Sequence, residues 1–248
     1  MNKILTFFVM FFLLVSQCIA NPYTSFSSVL DTLPQEEVQK SLDVFTKDFG
    51  QTISGGSCCG IGAALGLLGV YGSLKVSYRT ISKDNIIVKD TAPKGLFFPM
   101  LHFCVGLPYD FNAILRFSRF DDTTVIGAGL LYELFKPKTI IVPAISLQSV
   151  YNDASTNAYG NEFKAWNLKN SILLQFSKVP FIKPYIGLNY DITHLKAYSS
   201  KYCGIFSDVY GFGYGAGLNA SLGIFSFAVD VFIYEDRPTY NLGMFVGF

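Results

Sequence analysis

The stretch on which the fold turns is Ile182-Lys183-Pro184-Tyr185-Ile186-Gly187-Leu188-Asn189-Tyr190-Asp191-Ile192-Thr193. Ile182, Ile186, Leu188, Tyr190 and Ile192 fall on one parity, and Lys183, Gly187, Asn189, Asp191 and Thr193 on the other. A period of two places successive side chains on opposite faces of a strand, so one face is apolar and the other polar. Working outward, the same alternation runs through residues 166–177, 210–222 and 240–248 on one side, and through 109–118 and 68–79 on the other. Weaker runs lie at roughly 96–107, 124–135, 139–151 and 224–235. These make ten strands, with eight or twelve as the alternatives, and the count brings both ends of the strand array to one side.

The environment of the apolar faces follows from composition. Half of the 248 residues are hydrophobic, 16% are aromatic and only 15% are charged, with a net charge of +1. Such a balance excludes disorder, and it lacks the basic excess of a nucleic-acid binder. Along the ten runs the apolar face carries a charge only at strand ends, at Arg119, Lys164, Lys178 and Glu235. A charge facing lipid near the midplane costs about 2–4 kcal/mol, so its exclusion is the mark of a strand that meets a bilayer. Aromatic residues fall at the strand ends, where Tyr78, Trp166, Tyr190, Tyr210 and Tyr240 predict an upper girdle and Phe248 a lower one. Rings with an apolar body and a polar edge favour the headgroup level.

The expected fold is therefore an all-β, transmembrane, antiparallel up-and-down barrel with one short N-terminal helix. Tight links near Pro108, Lys136-Pro137, Val179-Pro180 and Gly223 should mark one end, and longer polar loops at 81–95, 152–162 and 197–207 the other, outer end. Pro99, Pro143 and Pro184 each remove a ladder donor near a strand start.

The polar parity predicts a lumen lined by Lys75, Arg79, Asp110, Arg116, Glu133, Lys169, Lys183, Asp191 and Asp230. In a ten-stranded barrel the interior is little wider than side chains fill, so opposite charges should pair across it. That excludes a wide aqueous pore and leaves a narrow channel or a closed scaffold.

Three segments precede the barrel at 61–248. Residues 1–20 have a basic start, a charge-free apolar run from Ile4 to Ser16 and small residues near Ala20, the pattern of an export signal. Residues 21–33 read as an extended arm. From Pro34 to Phe49, Val38, Leu42, Phe45 and Phe49 form one helical stripe, with Asp31 or Thr32 as cap and Gly50 as terminator. The helix is expected in the periplasm or against the lower mouth. No later stretch is long and apolar enough to be a spanning helix.

Chemical signatures are weak. Gly211-Phe212-Gly213-Tyr214-Gly215-Ala216 alternates within a strand and lacks the strand-turn-helix context of a nucleotide loop. His194 and Asp191, with Ser199 and Ser200 beyond them, form a polar rim rather than a catalytic set. Cys58, Cys59, Cys104, Cys203, His102 and His194 show no zinc spacing. No catalytic residue, cofactor, metal or nucleic-acid partner is expected, and the ligand is undetermined.

The C-terminal run Gly243-Met244-Phe245-Val246-Gly247-Phe248 resembles the signal that delivers bacterial outer-membrane barrels to their assembly machinery. Phe45-Thr46-Lys47-Asp48-Phe49-Gly50, then Leu65-Gly66-Leu67-Leu68-Gly69-Val70 running into Lys75-Val76-Ser77, is similar to a group of uncharacterised bacterial outer-membrane β-barrel proteins. Gly106-Leu107-Pro108-Tyr109 and Pro184-Tyr185-Ile186-Gly187-Leu188 share that resemblance. It implies a small barrel behind a short helix, with membrane lipid and the barrel-assembly machinery as partners, and no activity. The leading function is a narrow channel or transporter for a small solute; the alternative is a structural or surface-interaction, adhesin-like barrel, and an outer-membrane enzyme comes third.

Overall fold

The computed structural model describes residues 26–55, 65–67, 69–89, 94–120, 122–158, 161–177 and 179–247. The expected export signal, Cys58, Cys59 and Phe248 lie outside the described residues. Ten antiparallel strands close into a barrel in sequence order: β1 Val70–Arg79, β2 Leu96–Gly106, β3 Phe111–Phe120, β4 Thr123–Phe135, β5 Ala144–Ala158, β6 Asn161–Gln175, β7 Ile182–Tyr198, β8 Cys203–Leu222, β9 Phe225–Tyr234 and β10 Arg237–Gly247. The seam joins β1 to β10, from Tyr71 opposite Gly247 to Arg79 opposite Thr239. Closure leaves no unpaired edge, which is what a sheet in hydrocarbon requires.

The parity read from the sequence sets the two faces. Leu188, Leu218, Ile172, Ile126, Leu130 and Leu242 are large, apolar and exposed on the outer wall. Asn189, Asn219, Asp191 and Thr193 are buried inside. Among the described residues no helix is long and apolar enough to cross a membrane.

Connections differ from expectation at the upper end. Residues 152–162 and 197–207 are mostly strand: β5 and β6 pair up to Ala158 and Asn161, and β7 and β8 up to Tyr198 and Cys203. Polarity there signals contact with water, and the backbone ladder continues regardless. Only 80–95 is a long upper connection, whereas Glu235 and Asp236 make a two-residue turn with φ of 47° and 65°. At the lower end, 136–143 is longer than the tight link expected.

Among the described residues two helices precede the strands. Residues 26–32, expected as an extended arm, form α1 (Phe26–Thr32), and α2 spans Gln35–Ile53. Asp31 and Thr32 do not cap α2. Pro34 is its N-cap, with an extended backbone, and its carbonyl accepts from the Glu37 and Val38 amides at 2.9 and 3.2 Å. Nor does Gly50 end the helix: a Cβ there would run into the Thr193 side chain, so glycine serves close packing inside α2. Neither helix lies below the barrel. The stripe Val38, Leu42, Phe45, Phe49 and Ile53 is buried against inward-facing Phe98, Met100, Val125, Phe163, Ala165 and Leu195 of the upper barrel wall. Phe163 touches Phe26, Phe45 and Phe49 with ring centroids 5.1–5.7 Å apart. At about 1.5–3 kcal/mol for each fully buried large apolar side chain, this contact fixes the helices inside the barrel.

Candidate functional site: the plugged lumen

Three features lie in sequence down the lumen. The uppermost is a carboxylate. Asp48, fully buried on α2, accepts from Arg79 Nε of β1 at 3.3 Å and from the Arg237 guanidinium of β10. It also accepts from the Ser82 amide at 2.9 Å and Asn85 Nδ2 at 2.8 Å, both in the connection after β1. One side chain thus joins the helix to both strands of the seam. Arg79 Nη1 donates in turn to Thr239 Oγ1 at 2.9 Å. Outside this clamp, Lys47 pairs with Glu235, and the Lys201 amide donates to Asp31 at 3.0 Å.

The second feature is a polar belt around the end of α2. Arg116, Gly127, Asn152, Asn167 and Thr193 occupy one register row across β3 to β7. Arg116 Nη1 donates to the Ser54 carbonyl at 2.8 Å and to Asn152 Oδ1 at 3.4 Å. Asn152 Nδ2 then donates to Asn167 Oδ1 at 3.2 Å, and Asn167 Nδ2 to Thr193 Oγ1 at 2.9 Å. Gly127 makes the belt continuous, because a Cβ there would stand 3.2 Å from Arg116 Cβ and collide with the Asn152 amide.

Below this is a charged wall. Asp230 receives Tyr185 OH at 2.7 Å and an Asn241 amide hydrogen bond, and lies 3.6 Å from Lys75 Nζ. Lys169 Nζ sits 5.3 Å from the Phe232 ring centre. Asn189 Nδ2 donates to Tyr234 OH at 2.9 Å. Asn189 Oδ1 and Ser171 Oγ are buried and accept no hydrogen bond among the described residues, and the fully buried Asp191 carboxylate lies among Lys169, Tyr234 and Asn167. A buried polar atom without a partner is costly, so these mark a place where water or a solute would be exchanged. Cys104 is disulfide-bonded lower on this wall.

The nine sequence candidates are therefore distributed unevenly. Lys75, Arg79, Arg116, Lys169, Asp191 and Asp230 are buried on the inner face, and Glu133 is buried near the lower end, 3.9 Å from Lys136 Nζ. Lys183 is half-buried at the lower end of β7. Asp110 is a correction. It sits in the turn below β2, 44% exposed and paired with Lys136, because the chain turns at Pro108–Asp110 before β3 begins. In the girdle, Tyr78 and Tyr240 lie 6.4 Å apart at the upper seam. Tyr190 is misassigned to the rim: β7 extends to Tyr198, which leaves Tyr190 at mid-strand and moves the aromatic level up to His194. Trp166 stacks on His194 at 5.7 Å, and Tyr210 faces outward below Phe206.

The rim residues weighed for catalysis do not meet. His194 Nδ1 contacts Asp208 Oδ1 at 2.6 Å on the outer face, whereas Asp191 is buried inside. Ser200 hydrogen-bonds Asp31, and Ser199 Oγ bonds within its own turn, to Tyr202. Among the described residues no group of three or more histidine, cysteine or acidic side chains could hold a metal. Asp48 and Arg237 were not legible as functional residues, although Asp48 borders the apolar stripe, where a charge is buried only with a partner.

No family model matches the chain, and no curated protein does. Among solved structures it is similar to an outer membrane channel from Pseudomonas putida F1, at 8% identity over 77% of this chain and 100% of that one, with a TM-score of 0.50. It is also similar to Neisserial surface protein A, at 12% identity over 72% and 97%, with a TM-score of 0.35. A third is the attachment invasion locus protein of Yersinia pestis, at 13% over 73% and 97%, also at 0.35. Identities this low speak to fold alone, and the channel's score carries that likeness. The chain has the fold of bacterial outer-membrane β-barrels, with a lumen stopped by its own N-terminal helices.

Proposed function

We propose that this is a bacterial outer-membrane protein whose barrel is a narrow channel for a small polar solute, held shut by α1 and α2. The observation that carries the reading is the division of the inner wall. Its upper half packs an apolar cluster against the helices beside the Asp48 clamp, while the wall beneath them buries Lys75, Lys169, Asp191 and Asp230. Buried charge is expensive, and a barrel that only held its shape would be filled with apolar side chains at lower cost. The spare acceptors of Asn189 and Ser171 suit a solute with hydrogen-bond donors.

Residues 1–20 direct export in this reading, membrane lipid surrounds the outer wall, and the upper end faces outside. The C-terminal run 243–248 engages the barrel-assembly machinery, so deletion of Phe248 lowers outer-membrane yield without affecting inner-membrane export. Planar-bilayer recording tests the channel. Wild-type protein gives rare openings, and Asp48→Ala, which releases the helix clamp, raises their frequency. Silence from both proteins refutes the channel and leaves a scaffold. The projecting β5–β8 hairpins favour a surface-interaction role as the second reading, which binding of the intact protein to host-cell or matrix surfaces would test.

A further inference from the structure

On the outer face, Lys164 of β6 and Lys196 of β7 stand directly opposite one another in register. Both are exposed, and among the described residues neither takes part in an ion pair. Like charges in directly opposed positions on one sheet face repel, so the pair is destabilising unless an anion lies between the two ammonium groups. The Lys196 ammonium lies 5.3 Å from the Tyr198 ring centre, on the side away from the barrel's middle.

One outward position below the lysines are Trp166 and His194. Their rings belong to a continuous band from four consecutive strands: Tyr151 to Trp166 at 6.2 Å, Trp166 to His194 at 5.7 Å and His194 to Phe206 at 6.1 Å. Such a band marks the headgroup level. Two acids share the height of the Trp166–His194 pair. Asp208 is engaged by His194, and Asp153 is register-paired with Trp166. Beneath the band the wall is apolar, with Leu168 and Ile192 outward and Tyr210, opposite Ile192, 59% exposed.

We propose that this patch binds a phosphate-bearing membrane lipid. The headgroup phosphate bridges Lys164 and Lys196, and the acyl chains lie along Trp166, Leu168 and Ile192. A free phosphate would use only the lysines, whereas a lipid uses the cations, the aromatic band and the apolar wall together. The inference rests on the reading that the barrel spans a bilayer.

Trp166 is the chain's single tryptophan, so its fluorescence reports on this patch alone. The full chain is refolded into phosphatidylcholine vesicles containing a minor fraction of brominated phosphatidylglycerol or, in parallel, brominated phosphatidylcholine. The brominated anionic lipid should quench Trp166 as though enriched about fivefold at the patch, the factor expected from one lysine at a lipid surface. The double variant Lys164→Gln/Lys196→Gln should abolish that preference, and Lys138→Gln, at the opposite end of the barrel, should keep it. Equal quenching by the two lipids overturns the site, as does a preference that survives the double variant. Loss of the preference on adding inorganic phosphate, but not chloride of matched ionic strength, reassigns the lysines to a soluble anion and overturns the lipid. Quenching by neither lipid removes the bilayer reading itself, and the site with it.

Discussion

Replacing Asp48 with alanine should free α2 while leaving the barrel closed. Asp48 and Arg79 are both 0% exposed, and Arg237 is 22% exposed. Arg237 can therefore turn to water when the carboxylate goes. Arg79 cannot, and keeps Thr239 Oγ1 at 2.9 Å, the Arg237 carbonyl at 3.4 Å and the face of the Tyr234 ring at 5.6 Å. Removing one partner of a buried ion pair costs about 3–5 kcal/mol, because the remaining charge is left uncompensated. The Ser82 amide and Asn85 Nδ2 lose the same acceptor. Arg79 is stranded only while α2 covers it, and the strand ladders are untouched, so the cost falls on helix docking. The equilibrium for local opening of α2 should rise roughly 150- to 5,000-fold. Amide hydrogen exchange on the refolded protein measures this directly, since opening free energies differ between cooperative units. Amides of α2 should exchange faster by that factor, and those of β6 to β8 should be unchanged. A rise in α2 below about tenfold would mean that apolar packing, rather than the clamp, holds the helix. An equal rise in the strands would mean that helix and barrel open as one unit.

Three further outcomes are expected. Leu188→Arg places a charge on the outer wall at mid-strand and should cost about 2–4 kcal/mol in urea titrations of bilayer-folded protein, whereas Leu188→Ile should stay within about 1.5 kcal/mol. Gly127→Ala puts a methyl group 2.9 Å from the Tyr151 carbonyl and 3.2 Å from Arg116 Cβ, and should destabilise by about 1–3 kcal/mol in the same titration. The Asp31 carboxyl is held below its ordinary value of 3.8, chiefly by the Ser200 hydroxyl. A carboxylate lowered by folding contributes stability above its unfolded pKa and loses it as pH falls through the folded value. Acidification below 3.8 should thus loosen α1 from the turn at 199–202, seen as faster exchange there, and Ser200→Ala should reduce that acid sensitivity.

The barrel was legible because the outer face of every strand answers to one solvent. The inner face does not, and that is where the sequence was ambiguous. The run at 96–101, Leu-Phe-Phe-Pro-Met-Leu, shows almost no alternation, since Leu96, Phe98 and Met100 face the helices and are as buried as any core residue. A strand covered by apolar groups on both sides reads as a continuous hydrophobic run. Weak alternation was thus a sign that something apolar fills the upper lumen, and the stripe on α2 was its complement. Nothing in a single sequence pairs the two. Asp48 was hidden for a related reason: a charge beside an apolar stripe reads as a solvated flank until its partners, 31 and 189 residues away, are in place. Burial of Lys75, Arg116, Lys169 and Asp230 follows from parity alone, whereas the turn that carries Asp110 out of the lumen depends on local backbone geometry at Tyr109 and Asp110, where φ is 60° and 64°.

The reach of the Asp48 clamp has a consequence for assembly. Residue 48 emerges early in synthesis, Arg79 soon after and Arg237 almost last, so the carboxylate stays half-matched until the final strand is laid against the first. Docking of the helix is thereby tied to completion of the seam: a chain stalled before β10 keeps a weakly anchored N-terminal segment with Lys40 and Lys47 within reach of trypsin-like proteases. Full docking of the plug and closure of the ring thus fall together, because Arg237 reaches Asp48 only when β10 lies against β1.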